Sequence, residues 1–220
     1  MIRKATAADL DAVGEIYREI HEAEARGEIT TGWLRNIYPV RATAEAALGR
    51  DDLFVMEDGG RVIGAAVINK LQVDVYEGAA WQFDVTPNEV CVLHTLVISP
   101  AVSGRGCGTA FVRFYEQYAR EHDCRELRMD TNARNRAARS LYAKLGYREI
   151  GVVPTVFNGI PNVQLVLLEK QLQVILLLKG YLPKLLSLRP KVHFLIKMKL
   201  WSLSIFMLNL LLSLKKMLAQ

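Results

Sequence analysis

The sequence predicts an α/β fold built on one mixed sheet, and two observations support that prediction. Strand-like and helix-like patterns alternate along residues 2–168, and adjacent strand patterns lie near both ends of that range. The chain has 220 residues, of which 51% are hydrophobic, so it can bury a full core. We therefore expect one domain over residues 1–170 with an appendage over 171–220.

The first quarter of the chain predicts one strand and two helices. Residues 2–5 can form the strand, and Thr6 and Asp9 have the spacing of a capping box, which marks the start of a helix. Apolar side chains then recur on one helical face: Leu10, Val13, Ile16, Tyr17 and Ile20. Thr43 is the predicted cap of a second short helix that runs to Leu48.

A β-hairpin and an irregular segment are predicted next. Residues 53–56 and 62–68 are strand-like, and the sequence Asp-Gly-Gly over 58–60 is typical of a tight turn between them. Residues 72–89 follow neither the helical nor the strand period. We therefore expect that segment to be irregular.

The second half alternates strands with helices. A buried-looking strand over 90–98 ends before Pro100, and a helix is expected to begin at Thr109. Further strands are predicted over 126–131, 147–153 and 163–168, with a helix between the first two.

The turn before the Thr109 helix contains Gly104, Gly106 and Gly108. This pattern is neither the dinucleotide fingerprint nor the Walker-type phosphate loop. Glycines leave backbone N–H groups unobstructed, and the helix adds the positive end of its dipole. The turn therefore predicts an anion site, although a merely structural turn between strand and helix is the alternative.

A second motif follows about thirty residues later. Either Asn132 or Asn135 can cap a short amphipathic helix that ends at Gly146. Tyr142 lies on the apolar stripe of that helix. Taken alone, this pattern fits a core tyrosine as well as a functional one.

The two motifs together resemble the GNAT superfamily of N-acetyltransferases. The shared features are the strand ending at Pro100, the glycine turn, and the pattern Asn135-x-x-Ala138-x-x-x-Tyr142 before Gly146. The resemblance covers residues 1–170 in element order and is densest over 91–150. It implies a central sheet of six to seven strands, flanked by about four helices.

The resemblance also implies acetyl-CoA as co-substrate. In that family backbone amides of the glycine turn bind the pyrophosphate, and the preceding strand binds the pantetheine arm. Ser103 stands where the family pattern has Arg or Gln. The cofactor-binding residues implied in this chain are Leu96, Val97, Ile98, Ser103, Gly104, Arg105, Gly106, Cys107, Gly108, Thr109, Asn135, Ala138 and Tyr142.

Two catalytic residues are implied in the same way. Tyr142 corresponds to the general acid that protonates the departing thiolate, and a phenol of pKa about 10 stays protonated at neutral pH. His94 lies where some amine acetyltransferases of the family have a general base, and an ordinary pKa of about 6.5 suits that role. The alternatives are that His94 is a core residue and that Glu89 or another carboxylate of the 72–89 segment is the base.

The acceptor pocket is expected between three segments, 26–40, 72–84 and 154–162. Its candidate wall residues are Trp33, Tyr38, Trp81, Phe83 and Phe157, and its candidate acids are Asp74, Glu77 and Asp84. The identity of the acceptor stays open between a small-molecule amine and a peptide amine.

Charge and cysteine content limit the partners. All 23 acidic residues lie within residues 1–170, against 20 of the 28 basic ones, so the high pI is no argument for nucleic-acid binding by the domain. Three cysteines and no apolar N-terminal run indicate a cytoplasmic protein without a disulfide framework. Cys91 and His94 share a metal-like spacing, but strand side chains three apart point to opposite faces, so no metal is expected. A homodimer stays open.

The tail over 171–220 is basic and rich in leucine, and we expect it to be helical or poorly ordered. It holds 17 leucines, seven Lys and one Arg, and no acid. Its uncharged run from Leu200 to Leu214 would span roughly 22 Å as a helix, short of the ~30 Å hydrocarbon core. The alternatives are contact with a membrane surface, a cap on an apolar patch, and an aberrant extension.

These features predict a cytoplasmic N-acetyltransferase in which the amine attacks acetyl-CoA directly. The alternative from another class is a regulatory module that binds CoA without turnover. Ser103 and the unassigned base are the features that favour the module.

Overall fold

The computed structural model of the protein describes residues 1–172, in which seven strands form one sheet. The strands are β1 (Ile2–Lys4), β2 (Leu53–Asp58), β3 (Arg61–Asn69), β4 (Val90–Ile98), β5 (Glu126–Asn132), β6 (Arg148–Phe157) and β7 (Ile160–Gln171). The helices of this part are α1 (Leu10–Ala25), α2 (Arg41–Gly49), α3 (Cys107–Glu121) and α4 (Arg136–Lys144). The predicted mixed α/β sheet with about four helices is confirmed.

The sheet has the strand order β1-β2-β3-β4-β5-β7-β6. All neighbouring pairs are antiparallel except β4 and β5, which are parallel. A parallel pair needs a crossover connection, and α3 supplies it.

The parallel pair separates partway along its length. β4 and β5 pair from Val90 and Glu126 up to Leu93 and Met129, and no pairing continues beyond. On its other side β4 contains a bulge, because three residue steps on β4 match two on β3, and Thr95 has φ +48° there. The two strands therefore leave an opening between their C-terminal ends.

Two apolar layers cover the sheet. In β2, Leu53 and Val55 face α1 and α2, whereas Phe54 and Met56 face α3 and α4, as the two-residue period of a strand requires. Tyr115 of α3 is fully buried and its hydroxyl donates to the carbonyl oxygens of both parallel strands, at 2.6 Å on β4 and 3.1 Å on β5. These two hydrogen bonds hold β4 and β5 together in the stretch where they still pair, before the strands separate.

Polar groups hold the irregular 72–84 segment on the sheet. The buried Arg128 of β5 lies 4.0 Å from the ring centroid of Trp81 and pairs with the buried Glu126 at 2.5 Å. The backbone N–H of Gln82 donates to the buried Glu169 of β7 at 3.1 Å. These contacts fix a segment that has no regular secondary structure beyond a short 3₁₀ turn at Asp74–Tyr76.

Three details differ from the sequence-based expectations. The second helix begins at Arg41, and Thr43 accepts a hydrogen bond from the Val40 N–H at 3.1 Å instead of capping the helix. α3 begins at Cys107, two residues before the expected start. β6 and β7 extend further than expected because Asn158 and Gly159 both adopt positive φ and close a tight hairpin turn.

Within residues 1–172, no helix combines the length and the apolar character that a membrane crossing requires. The expected tail over 171–220 lies outside the described residues, apart from Gln171 and Leu172.

Gly64 is a glycine that the packing of β3 on β4 requires. A Cβ there would lie 2.9 Å from the Val97 carbonyl oxygen and 2.7 Å from Ile98 Cδ1. We expect Gly64→Ala to lower the free energy of unfolding by about 1–3 kcal/mol, because the β4 backbone and the partly buried Ile98 side chain must move. Gly151→Ala in β6 is the matched control, since a Cβ there meets nothing within 4 Å. Denaturant titration of both variants measures the difference, and equal midpoints would contradict it.

Candidate active site

A cavity of about 670 Å³ lies where β4 and β5 separate. Most lining residues come from five parts of the chain: Leu93–Ile98 of β4, Asp130–Asn132 of β5, residues 135–142 of α4 and its cap, residues 28–38 after α1, and residues 157–165 of the β6–β7 hairpin. Ile20, Ala23, Val73, Pro100 and Ser103 complete the described lining. The opening in the sheet is therefore closed into a pocket by α4, one loop and one hairpin.

The predicted cofactor-binding residues fall into two groups. Leu96, Val97, Ile98, Ser103, Asn135, Ala138 and Tyr142 line the cavity. The remaining ones, Gly104, Arg105, Gly106, Cys107, Gly108 and Thr109, form the turn that follows Ser103 and the first residues of α3. The turn depends on positive φ at Gly104 (+77°) and Gly106 (+80°), and Gly106 is the N-cap of α3.

Asn135 orients α4 beside this turn. Its side-chain oxygen accepts from the Ala138 backbone N–H at 3.1 Å, which makes it the N-cap of the helix. α3 packs closely against α4 at Gly108, where an added Cβ would lie only 3.2 Å from Leu141 Cδ2. The cap and this close approach place Tyr142 at the cavity.

Tyr142 is buried, with 6% of its surface exposed, and its ring contacts Tyr147 edge-on at 6.0 Å between centroids. Burial, with a smaller contribution from the nearby Asp130 carboxylate, raises the pKa of Tyr142 above its usual value. Among the described residues its hydroxyl has no hydrogen-bond partner. A protonated phenol therefore faces the cavity, with its donor available to a bound molecule.

His94 also lines the cavity, but its Nε2 is already engaged. Nε2 lies 3.1 Å from both the Asn69 side-chain oxygen and the Leu71 carbonyl oxygen, so it carries the proton and donates. Burial lowers the pKa of His94 to about 4. The imidazole is thus neutral at neutral pH and a weak base.

Asp130 is the ionisable residue that sequence reasoning did not identify. It lies on β5 and lines the cavity, and its Oδ2 accepts from the Tyr76 hydroxyl at 2.8 Å. Burial raises the pKa of Asp130 to about 6, against the lowering effect of the Tyr76 hydrogen bond. The available signal was that Glu126, Arg128 and Asp130 alternate with apolar residues and so place charged side chains on one face of β5.

The acids that were expected near the site lie elsewhere. Glu89 caps the Thr86 turn and pairs with Arg125 at 3.0 Å. Within residues 1–172, Asp74, Glu77 and Asp84 are not among the lining residues of the cavity. Asp130 of β5 lines the cavity, whereas these four acids of the 72–89 segment do not.

Of the expected wall residues, Trp33, Tyr38 and Phe157 line the cavity. Trp81 contacts Arg128 instead, and Phe83 is not among the described lining residues. The Trp33 and Tyr38 rings meet edge-on at 5.9 Å between centroids. One side of the pocket is therefore aromatic.

Residues 30–33 form the roof over the end of β5. Glu24 accepts from the backbone N–H of Gly32 at 3.1 Å, and Thr30 donates to the Arg134 carbonyl oxygen at 2.9 Å. Gly32 lies so close to Asn132 that a Cβ would fall 2.3 Å from its Nδ2. This approach explains why a glycine is needed there.

Among the described residues, no group of three or more His, Cys, Asp or Glu side chains is placed to hold a metal ion.

Comparison with known proteins agrees with this architecture. A putative acetyltransferase from Staphylococcus aureus is 22% identical with a TM-score of 0.59, over 78% of this chain and 98% of that one. The ribosomal-protein-alanine N-acetyltransferase of Brucella melitensis is 22% identical with a TM-score of 0.58, over 78% and 99%. A putative acetyltransferase from Salmonella typhimurium, solved with its cofactor acetyl-CoA, is 21% identical with a TM-score of 0.56, over 79% and 94%.

Sequence comparison gives one further relative and a family. An uncharacterized N-acetyltransferase from Methanocaldococcus jannaschii is 27% identical over 103 residues, which span 47% of this chain and 42% of that protein. The sequence model of the Acetyltransferase (GNAT) family matches residues 11–147, more than half of the chain. With the sheet and cavity described above, this match shows that the chain belongs to the GNAT family of acetyltransferases.

Proposed function

We propose that the protein transfers the acetyl group of acetyl-CoA to a primary amine of a small molecule or peptide, by direct attack in a ternary complex. The observation that supports this most is the placement of Tyr142 and Asp130 in one cavity, which opens between β4 and β5 beside the glycine turn.

The cofactor site follows from the backbone of β4 and the turn. Leu96, Val97 and Ile98 lie on the part of β4 that no longer pairs with β5, where backbone groups on that side can bind the pantetheine arm. The amides from Ser103 to Thr109, together with the N-terminus of α3, would bind the pyrophosphate. The Asn135 and Ala138 side chains complete this site from α4.

The chemistry then needs two proton transfers. The amine nitrogen attacks the thioester carbonyl carbon, and a backbone amide near Val97 stabilises the charge on the carbonyl oxygen. The nitrogen becomes positively charged as the bond forms, and a base takes its proton. The carbon–sulfur bond then breaks, and Tyr142 gives its proton to the departing thiolate.

Asp130 is our choice for the base. Its pKa of about 6 keeps it ionised at neutral pH while close to the operating range. His94, the base expected from the sequence, has a pKa of about 4 and an engaged Nε2. Its Nδ1 keeps a lone pair, so catalysis by His94 stays a prediction to be separated from Asp130 by mutation.

A CoA-binding module without turnover is the second candidate, because Ser103 occupies the first position of the turn. Acetyl-CoA binding by calorimetry and CoA release with a panel of amines separate the two. Release that depends on the amine supports the transferase. Binding without release, unchanged in Tyr142→Phe, would support the module.

Three further expectations stay predictions: a cytoplasmic location, a homodimer, and contact of the tail with a membrane surface.

The glycine turn offers a test of cofactor binding with a matched control. Gly106 (φ +80°) and Gly60 (φ +77°) of the β2–β3 turn have nearly the same positive φ, and a Cβ at either would meet nothing within 4 Å. We expect Gly106→Ala and Gly60→Ala to lose roughly 1 kcal/mol of stability each. Only Gly106→Ala should raise the Kd for acetyl-CoA, by about tenfold, because its methyl group obstructs the amides. An equal Kd in both variants would contradict the assignment.

A further inference from the structure

We propose that the acceptor is a primary amine carried on an apolar or aromatic skeleton, with no carboxylate on the carbon beside the amine. This inference rests on the proposed function and specifies its substrate class. Three properties of the described lining support it: the carboxylate of Asp130, the exposure of the one Lys or Arg among those residues, and the aromatic side.

Asp130 gives the cavity a negative charge. The described lining has two carboxylates, Asp130 and Glu28, but Glu28 is exposed and pairs with Arg26 at 2.7 Å. Asp130 is therefore the carboxylate that faces a bound amine. Burial keeps the nearby phenols protonated, since it raises the pKa of Tyr38 to about 12 and that of Tyr142 above its usual value.

His94 does not offset this charge. The direction of its pKa shift leaves the imidazole neutral, and its Nε2–H is directed to Asn69 and Leu71 rather than to a ligand. The positive charge that forms on the amine nitrogen as it attacks is thus stabilised by Asp130, which then takes the proton.

Arg136 is the only Lys or Arg among the described lining residues. It is the first residue of α4 and is exposed, beside Asn135 and the cofactor side of the cavity. The carboxylate of a free amino acid is attached to the carbon that carries the amine, so an amine that reaches Asp130 brings that carboxylate close to it. Like charges so close repel, and the exposed Arg136 offsets little of this repulsion because solvent screens its charge.

The body of the acceptor meets apolar side chains. Trp33, Tyr38 and Phe157 line the cavity, and so do the apolar Val73, Ile160 and Val163. The Tyr38 hydroxyl is already hydrogen-bonded to Thr95, so this wall presents ring surface. A flat apolar group buries more area here than a polar or charged chain can.

The test uses acceptors that differ in one group. Phenylalanine carries a carboxylate beside its amine, phenylalaninamide carries a neutral amide there, and phenethylamine carries neither. With saturating acetyl-CoA, we expect kcat/KM for phenethylamine and phenylalaninamide to exceed that for phenylalanine by about tenfold or more. Spermidine, which has no apolar group of this kind, should be poorer than phenethylamine. A tripeptide that begins with Phe distinguishes a polypeptide acceptor from a small amine.

A variant supplies a second readout. Trp33→Ala should raise KM for phenethylamine about tenfold while the Kd for acetyl-CoA stays unchanged, which also shows that the variant is folded. Phenylalanine or spermidine as the better acceptor would overturn the inference while leaving the transferase intact. If acetyl-CoA binds and no amine of any class releases CoA, the proposed function itself is overturned, and this inference with it.

Discussion

Tyr142→Phe is expected to lower kcat by about 10²–10⁴-fold, the usual contribution of a positioned general acid. The substitution removes one hydroxyl and keeps the ring that packs edge-on against Tyr147. No described residue is hydrogen-bonded to that hydroxyl, so no buried partner is left unsatisfied and the fold should be preserved. The thiolate must then leave unprotonated, which slows cleavage of the carbon–sulfur bond.

Tyr147→Phe is the matched control for this experiment. Tyr147 is as buried as Tyr142 and its ring contacts Tyr142, but it does not line the cavity. We expect it to keep the kcat of the parent chain. Steady-state CoA release measures both variants, and the Kd for acetyl-CoA should change little in either. Equal kcat values for the two variants would contradict the role of Tyr142.

Asp130→Asn should have an effect of similar size on kcat/KM, a decrease of about 10²–10⁴-fold. Asparagine has nearly the same shape and can still accept the Tyr76 hydrogen bond, so the change removes charge and basicity with little change in packing. The base must be ionised to accept a proton. Activity of the parent chain should therefore rise with pH through about 6, the raised pKa of Asp130, and level off above it.

Two further variants test the assignment of that pH dependence. Tyr76→Phe removes the hydrogen bond that lowers the pKa of Asp130, so the midpoint of the rise should move to higher pH. His94→Gln should leave the midpoint in place. If His94→Gln abolishes activity while Asp130→Asn keeps both its rate and the rise near pH 6, His94 is the base and Asp130 is not.

The fold could be predicted from the sequence because its signals are local. The buried-looking apolar run over 90–98 predicted β4 with the bounds that the structure has, and Asn135 was one of two candidates for the cap that it forms on α4. The resemblance in the Gly106 turn and in the Tyr142 helix pointed to the same family as the match over residues 11–147. These features depend on neighbours within a few residues.

The acceptor half of the site could not be predicted because it depends on which strands become neighbours. Asp130 faces the cavity only because β5 lies parallel to β4 and separates from it beyond Met129. A period of two shows that Asp130 and Arg128 share a face, but not that this face is covered by Tyr76. The roof at Gly32 likewise requires contact with Asn132, a hundred residues further along the chain.

The different fates of the aromatic residues have the same explanation. Trp33 and Trp81 both stand in irregular segments, and nothing in the local sequence distinguishes them. Trp81 is held by Arg128, whose buried position is fixed by Glu126 on the same strand. Trp33 is left to line the cavity, because the segment after α1 crosses over the end of β5.

A single-turnover experiment tests the central claim most directly. The protein is mixed with stoichiometric acetyl-CoA and excess phenethylamine, and free CoA, N-acetylated amine and protein mass are measured by mass spectrometry at each time. Direct transfer predicts that CoA and the acetylated amine appear together in equal amounts, without an acetylated form of the protein, and much more slowly in Tyr142→Phe. Acetyl-CoA that stays intact beside amines of every class, or a protein that becomes acetylated before product forms, would contradict the account.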